Sequence, residues 1–372
     1  MEFTVKKGLL QKALGVAGRI ADSKVPAQGV DKFKLSLDDK LKIMSNDSII
    51  FSVSTVPIES VVLAGHVLVH AKLMVSLINS LPVDDNAIIN IQLDQETGKL
   101  SIISDRAVHH LNTFAVEEYV DFPQIDETAD SIVISGFQFS DMISHVIPCV
   151  SKNTSKPQYS GVYVEAAEDR IIMAATDSSR FAYRFLPADT NGISTGLSVV
   201  APLKFMDEMR KLVDRDEDIR FIMNDRTIGC VTPDTVMISR LINVEFPYFK
   251  EIIPTDFETN FSSIDSKSFR DIVKSVMPIA GENNYICNLE VDQGVLIIQS
   301  ESDQTGNSKS EIKFEQNCPD MEIMFNINYI NDALNLIETE NIQLRLNSSV
   351  EPAIFKMDGR DDFFYILMPM RR

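Results

Sequence analysis

Apolar and polar residues alternate along several short stretches of the chain, as they do in β-strands with one buried face. Residues 33 to 38 read Phe-Lys-Leu-Ser-Leu-Asp, and residues 162 to 165 read Val-Tyr-Val-Glu. In other stretches the apolar residues recur every three or four positions, which is typical of amphipathic helices. Leu10, Leu14 and Ala17 form one such stripe, and Phe269, Val273 and Val276 belong to another. The pattern therefore predicts a chain of mixed helices and antiparallel strands.

The predicted elements recur three times in the same order. A first helix is predicted over residues 6–20, 136–150 and 265–276, and a second helix over 70–81, 202–213 and 327–337. Strand pairs follow the first helices over 33–45, 161–174 and 287–300, and the second helices over 88–104, 219–231 and 342–357. Large internal repeats of this kind indicate copies of one structural unit.

The length of the repeat is marked by a Phe-Pro dipeptide. It occurs at Phe122-Pro123 and again 124 positions later at Phe246-Pro247, and the 372 residues span three such intervals. Helices packed on antiparallel sheets belong to the α+β class, and about 120 residues is a common domain size. We therefore predict three repeated α+β domains, over residues 1–127, 128–254 and 255–372.

The last eight residues, Tyr-Ile-Leu-Met-Pro-Met-Arg-Arg, are unusually apolar for a terminal stretch. Each large apolar side chain left exposed forgoes roughly 1.5–3 kcal/mol of burial, so another surface is expected to cover Ile366, Leu367, Met368 and Met370. Pro369 cannot donate a hydrogen bond to a strand ladder and should end the strand. Two interpretations remain: a last core strand, which the stretch alone favours, or a strand that forms one wall of a groove.

The net charge of −19 by itself argues against a nucleic-acid binder, but cations recur on the predicted helices and in the loops after the first helices. For any one helix, a solvated face is the simpler interpretation. Recurrence in three repeats favours a shared basic surface that holds a polyanion through its phosphates. The cations assigned to this surface are Lys12, Arg19, Lys24, Lys152, Lys156, Lys204, Arg210, Lys211, Lys267, Arg270 and Lys274.

Motifs that would indicate an enzyme are missing. The chain contains neither a glycine-rich phosphate loop nor Gly-x-Ser-x-Gly, and His66 and His70 are not accompanied by the HExxH zinc motif. We therefore predict no catalytic residues, no metal site and no cofactor. The four scattered cysteines are predicted to be buried thiols of a cytoplasmic protein. No apolar run reaches the length of a membrane span, and no signal peptide is predicted at the start of the chain.

Several motifs resemble the bacterial DNA sliding clamp family, the β subunit of the replicative polymerase. They are the opening Met-Glu-Phe-Thr-Val, the stretch Ala-Thr-Asp-Ser-Ser-Arg-Phe-Ala at 175–182, the Phe246-Pro247 turn with Ile-Ile-Pro at 252–254, Phe-Asn-Ile-Asn-Tyr at 325–329 and the terminal stretch. The resemblance covers the whole chain in order. It implies a head-to-tail homodimer whose six domains form a ring around duplex DNA, with helices lining the hole. Such a ring confers processivity on polymerases.

The resemblance also implies a groove where polymerase subunits and the clamp loader dock short linear motifs. The residues implied to line it are Thr176, Arg180, Phe181, Pro247, Ile252, Asn326, Tyr329, Val350, Pro352, Ile366, Leu367, Met368, Pro369, Met370 and Arg371. The chain departs from the family pattern at Ser178, Ser179, Glu251 and Arg372, which bears on peptide preference.

Dimer contacts are expected at two strands. Those predicted are Val108, His109, His110 and Leu111 in the first repeat and Leu296 and Ile298 in the third. If the two histidines face the partner, protonation at mildly acidic pH would weaken the ring. The main alternative function is a protein-interaction scaffold of the clamp fold that has no DNA role.

Overall fold

The computed structural model describes residues 1–21, 30–119, 131–153, 155–213, 216–252 and 261–370. The predicted domain boundaries at 127/128 and 254/255 lie outside these ranges, as do Lys24 and Arg371.

The first repeat contains two helices, α1 (Lys7–Ile20) and α2 (Ala71–Ser80), and a short 3-10 helix at Val116–Glu118. Its strands are β1 (Glu2–Lys6), β2 (Lys32–Leu37), β3 (Leu41–Asn46), β4 (Ile50–Val56), β5 (Ser60–Leu63), β6 (Gly65–His70), β7 (Ile88–Asp94), β8 (Lys99–Ile103) and β9 (Val108–Phe114).

The second repeat contains α3 (Gly136–Val146), α4 (Leu203–Leu212) and 3-10 helices at Ile147–Cys149 and Pro157–Tyr159. Its strands are β10 (Ser131–Ser135), β11 (Gly161–Ala166), β12 (Arg170–Thr176), β13 (Arg180–Pro187), β14 (Ser198–Pro202), β15 (Asp218–Met223), β16 (Thr227–Val231) and β17 (Thr235–Arg240).

The third repeat contains α5 (Ser266–Glu282) and α6 (Ile327–Leu336). Its strands are β18 (Ser262–Asp265), β19 (Ile286–Asp292), β20 (Val295–Ser302), β21 (Gly306–Lys313), β22 (Met321–Asn326), β23 (Asn341–Arg345), β24 (Ala353–Met357) and β25 (Phe363–Leu367). Among the described residues the order of helices and strands is the same in all three repeats, except that β5 occurs in the first alone. The predicted α+β class is confirmed.

Each repeat builds two four-stranded antiparallel ladders with the same connectivity. One ladder has the order β1-β7-β8-β9 in the first repeat, β10-β15-β16-β17 in the second and β18-β23-β24-β25 in the third. The other has the order β6-β2-β3-β4, β14-β11-β12-β13 and β22-β19-β20-β21. A residue on a ladder of one repeat therefore has an equivalent position in the other two.

The contacts divide the chain into two compact units. The first unit comprises Met1–Phe137, Asn191–Ser194 and Glu208–Leu241, and it holds a 13-stranded sheet in which β4 pairs with β17. One hydrophobic cluster of this unit lies in the first repeat, where Phe3, Leu10, Leu14 and Phe33 are almost fully buried. The alternation predicted for residues 33 to 38 is confirmed, because the buried positions of β2 are the apolar ones.

The second unit comprises Gln138–Thr190, Thr195–Asp207 and Ile242–Arg372. It holds an eight-stranded sheet in which β13 pairs with β25, and the four-stranded sheet β21-β20-β19-β22. Helix α5 begins at the predicted place, where Asp265 Oδ1 accepts a hydrogen bond from the Ser268 backbone N–H at 2.7 Å. Hydrogen bonding to Ser268 lowers the pKa of the Asp265 carboxyl, as expected of a helix cap. The helix ends six residues later than predicted and continues through Pro278.

Candidate functional site

The apolar terminal stretch is both a core strand and a surface segment. Strand β25 is hydrogen-bonded to β13 on one side and β24 on the other, and Ile366 and Leu367 are buried within it. Beyond Leu367 the chain crosses the surface: the Met368 N–H donates to Ser179 O at 2.9 Å, and the Met370 N–H donates to Met324 O at 2.8 Å. Backbone hydrogen bonds therefore fix this segment, residues 368–370, which we call the tail.

A pocket of about 590 Å³ opens beside the tail. Sequence reasoning named four of its lining residues, Val350, Met368, Pro369 and Met370, and missed five: Asn288, Glu322, Ile323, Met324 and Ser349. Alternation along β22 could have identified Glu322 and Met324, because buried Ile323 and Phe325 point toward the core and place their neighbours on the other face.

Aromatic side chains cover one face of the eight-stranded sheet. Phe181 and Phe249 lie 5.2 Å apart between ring centroids, and Tyr183 stacks on Phe364 at 4.6 Å. Phe181, predicted to line the groove, is therefore part of a buried cluster that also contains Ile366. Pro247 is half-buried and lines a second pocket of about 430 Å³ with Tyr163, Ser198, Val199, Val200, Val244, Glu245, Phe246, Tyr248, Phe249 and Lys250. Sequence reasoning missed these other residues.

Arg180 makes more polar contacts than any other predicted groove residue that the structure describes. Its guanidinium donates to Asp177 Oδ2 at 2.9 Å, to Asp332 Oδ2 at 2.5 Å and to Pro148 O at 2.6 Å, and it lies 4.2 Å from the centre of the Tyr329 ring. Burial opposes its charge, but Tyr365, Cys149 and Asp332 raise the pKa of Arg180 above the usual value. Arg180 thus links β13 to α6 instead of presenting a free cation.

We expect Arg180→Leu to lower the free energy of unfolding by about 3 kcal/mol, because it leaves two carboxylates without their buried partner. Urea unfolding followed by circular dichroism measures the change. Arg170→Leu is the matched control, since Arg170 pairs with Asp169 on the surface and its removal should change stability little. Equal effects of both substitutions would contradict the structural role of Arg180.

The remaining predicted groove residues are spread around these features. Thr176 donates its hydroxyl hydrogen to Arg180 O, and Asn326 caps α6 by accepting from the Asn328 N–H at 3.0 Å. Val350 is 79% exposed and Ile252 is 51% exposed, whereas Pro352 is half-buried. The structure therefore brings the tail, Val350 and Met324 together at one pocket. Arg180 lies against the Tyr329 ring, and Phe181 belongs to the buried aromatic cluster.

The predicted DNA-facing cations are not equivalent. Lys12, Lys152, Lys156, Lys267 and Lys274 are exposed, whereas Lys204 and Arg210 are half-buried. Two cations share one acid, because Arg19 Nε donates to Glu208 at 2.5 Å and Lys211 Nζ donates to the same carboxylate at 3.0 Å. Lys12 lies 3.4 Å from Asp234, but both side chains are at least half exposed.

Arg270 corrects the prediction of a cation turned outward. Its guanidinium donates to Leu334 O at 2.8 and 3.1 Å and also to Ile337 O. These carbonyls are at the C-terminal end of α6, where a helix lacks internal donors and favours positive charge. Arg270 therefore caps a helix of its own repeat.

The predicted dimer strands also need one correction. Strand β9 pairs with β6 only at Thr113 and Phe114, so from Val108 to Asn112 it is hydrogen-bonded to β8 alone and its other edge is open among the described residues. In the third repeat, however, Leu296 and Ile298 are fully buried on β20, which lies between β19 and β21. The neighbouring strand β21 is an edge strand of that sheet and pairs only with β20 among the described residues.

Three of the cysteines, Cys149, Cys230 and Cys287, are buried free thiols, and burial raises their pKa values; Cys318 is only half-buried, contrary to prediction. Within the described ranges, no group of three or more His, Cys, Asp or Glu side chains is arranged to hold a metal ion. None of the helices in those ranges is long and apolar enough to cross a membrane.

Comparison with protein families covers nearly the whole chain. The N-terminal, central and C-terminal domains of the DNA polymerase III beta subunit match residues 1–125, 134–248 and 250–371. The chain belongs to the DNA polymerase III beta subunit family. This confirms the resemblance that the sequence motifs indicated, from the opening strand to the terminal stretch.

Individual members of this family are similar over their full length. A beta sliding clamp from Streptomyces coelicolor is 26% identical over 100% of this chain and 99% of its own, and one from Pseudomonas aeruginosa is 23% identical over the full length of both. The crystal structure of the beta subunit from Thermotoga maritima superposes with a TM-score of 0.91 at 23% identity, covering 100% of this chain and 99% of that one. A Pseudomonas aeruginosa clamp bound to griselimycin gives 0.91 at 22% identity over both full lengths.

Proposed function

We propose that the chain is a DNA sliding clamp, a processivity factor that closes as a homodimeric ring around duplex DNA and tethers polymerases. The observation that carries this proposal is the family match in all three repeats. We assign the chain no catalytic chemistry and place it in the cytoplasm, where the chromosome is replicated. The three clamp domains are proposed to span residues 1–127, 128–254 and 255–372.

A repeated strand junction supports the ring. The outer strand β4 of the first repeat pairs with β17 of the second, for example Val53 with Val236. In the same way β13 of the second repeat pairs with β25 of the third, for example Phe181 with Ile366. Each junction thus joins equivalent strands of consecutive repeats.

A third junction of the same kind would join β21 of the third repeat to β9 of the first. Both strands have open edges among the described residues, and exposed edges of this length are usually covered in native proteins. We propose that β21 of one protomer pairs with β9 of the other, twice per dimer. Val108, His109 and His110 lie on the open part of β9, whereas Leu296 and Ile298 support the interface from the core.

We propose that the exposed lysines contact the phosphates of the encircled duplex. The cations that cap helices or pair with Glu208 are weaker candidates. Because only phosphates are contacted, binding should be weak, salt-dependent and independent of sequence. Such contacts allow a ring to slide.

Changing Lys12, Lys267 and Lys274 together to Ala should reduce the slope of log K against log salt by about 0.9 for each phosphate that the protein no longer neutralises. Fluorescence anisotropy of labelled duplex DNA over a salt series measures the slope. The matched control changes three other lysines, Lys40, Lys42 and Lys99, which are also exposed. If the control lowers the slope equally, the cations were assigned to the wrong surface.

Partner proteins are proposed to bind at the tail pocket and the neighbouring aromatic surface. Polymerase subunits and the clamp loader would insert apolar side chains beside Met368, Met370 and Val350, as expected of a concave site with a few polar groups. We also propose that griselimycin, bound by the Pseudomonas aeruginosa clamp, binds this chain at the same place.

Retention on DNA tests the whole proposal. After loading onto a nicked circular plasmid, the protein should remain bound through gel filtration at high salt and be released once the plasmid is linearised. A topological link explains this difference, because linearisation leaves the local contacts unchanged. Equal release from both forms would instead favour the alternative, a protein-interaction scaffold of the clamp fold without a DNA role.

A further inference from the structure

Two cations on the helices share one buried acid where the first repeat meets the second. Arg19, in the last turn of α1, donates from Nε to Glu208 Oε2 at 2.5 Å. Lys211, one turn after Glu208 on α4, donates from Nζ to Glu208 Oε1 at 3.0 Å. Each carboxylate oxygen therefore binds one cation, and the three side chains together carry a single positive charge.

The acid of this triad lies inside the protein, whereas the two cations reach its surface. The Glu208 side chain is 8% exposed, and the side chains of Arg19 and Lys211 are 39% and 41% exposed. Salt and solvent screen a partly buried ion pair less than an exposed one, so Glu208 binds the cations more tightly than a surface acid would. Arg19 Nη1 also donates to Gly15 O at 3.0 Å, which orients the guanidinium along α1.

The third repeat has an acid at the equivalent position, but its cation is in a different environment. Glu208 and Asp332 are each the sixth residue of the second helix in their repeat. Each accepts a hydrogen bond from an arginine of the preceding repeat, Arg19 or Arg180. The Arg180 side chain is only 11% exposed, so it is committed to packing. Arg19 and Lys211 instead remain within reach of a polyanion in the solvent.

Another cation of α1 also lies near an acid of the second repeat. Lys12 Nζ is 3.4 Å from Asp234 Oδ2, but these side chains are 73% and 50% exposed. An exposed pair of this kind is well screened and contributes little, so Lys12 stays accessible to a phosphate. Burial of the acid therefore distinguishes the cations bound by Glu208 from the cation beside Asp234.

We propose that Glu208 limits the affinity of the ring for duplex DNA. Because Arg19 and Lys211 are paired with a buried carboxylate, a phosphate must compete with that carboxylate to contact them. The contacts that remain are few and weak, and weak contacts with phosphates allow the ring to slide. Glu208 is therefore a positioning residue, which acts on DNA binding through two cations and does not touch DNA itself.

This inference rests on the proposed function for the presence of DNA in the ring, and it adds a residue that opposes DNA binding. Glu208→Gln tests it in the full-length protein, by fluorescence anisotropy of a labelled duplex over a salt series. Loss of the carboxylate charge should release cations to the phosphates. The slope of log K against log salt should steepen by about 0.9 for each phosphate gained, and affinity should rise roughly three- to tenfold at about 0.1 M salt.

Three further variants make the result specific. Glu208→Asp keeps the charge and should bind DNA like the unmodified protein. Glu168→Gln removes one charge from an exposed acid on the turn between β11 and β12, and it should leave the slope unchanged. In a chain that carries both Arg19→Gln and Lys211→Gln, adding Glu208→Gln should have no effect on the slope, because the cations through which it acts are gone.

An unchanged or lower affinity of Glu208→Gln would overturn the inference. The variant with Arg19→Gln and Lys211→Gln provides a second test, which does not require Glu208→Gln to fold. It should keep nearly the full slope, and a loss per cation as large as that of the triple-lysine variant above would show that both cations already contact DNA. A slope that falls in the triple-lysine variant but does not respond to Glu208→Gln would overturn this inference alone, whereas salt-independent binding by every variant would refute the DNA role as well.

Discussion

Val108→Asp is expected to convert the dimer into monomers at micromolar concentration. Val108 is 57% exposed at the open edge of β9, where the proposed pairing with β21 of the second protomer would bury it. Burying an unpaired carboxylate costs about 4 kcal/mol, which is roughly a thousandfold in the dissociation constant. Because the side chain is exposed in the single chain, folding of the protomer should be unaffected. Sedimentation velocity measures the change in mass.

Val133→Asp provides the control for this experiment. Val133 is 70% exposed on β10, which is also an edge strand of the 13-stranded sheet but takes no part in the proposed junction. The Val133→Asp variant should remain dimeric at all concentrations at which the unmodified protein is dimeric. A dimer that survives Val108→Asp, or that Val133→Asp breaks equally, would place the interface elsewhere.

Deletion of residues 368–372 should abolish griselimycin binding while the chain still folds and dimerises. The cut must begin after Leu367, since Ile366 and Leu367 are buried in β25. The deletion removes Met368 and Met370, which line the pocket. Their contacts with a bound ligand together contribute about 3 kcal/mol or more to binding, which is roughly a hundredfold in affinity. Isothermal titration calorimetry measures the change in affinity.

Two control measurements make the deletion interpretable. The elution volume should stay that of the dimer, because the tail lies on neither β9 nor β21. Urea unfolding should shift little, because Met368 is 45% exposed and only two backbone hydrogen bonds described for the tail are removed. Full-strength ligand binding to a truncated, folded dimer would refute the assignment of the groove.

The spacing of apolar residues along the chain predicted most of the helices and strands. The repeat of helices and strands was predicted within a few residues of the observed ends, except that α5 continues through Pro278. Pro278 has no N–H, so the backbone carbonyl of Lys274, four residues earlier, receives no helical hydrogen bond. Lys274 lies on the exposed side of the helix, where water can donate to that carbonyl instead.

The candidate site was predicted less completely. Motif positions identified Met368, Pro369 and Met370, but not Asn288 or Ser349, which reach the pocket from other strands and loops. Arg270 was predicted to face outward from its spacing along one helix, and Arg180 was predicted to line the groove from the family resemblance. Each guanidinium is instead held by an acceptor far away in sequence, Leu334 for Arg270 and Asp332 for Arg180. Such partners cannot be inferred from spacing along one helix or strand.

The class of the fold, the threefold repetition and the family follow from the sequence, because alternation and helical spacing reflect burial within each element and the motifs occur in order along the chain. The position of β21 at the edge of its sheet beside the buried β20, the capping of α6 by Arg270 and the pocket beside the tail follow from the tertiary structure alone. Open strand edges, helix caps from distant side chains and pocket linings depend on which segments far apart in the sequence pack together, and local spacing does not specify that packing.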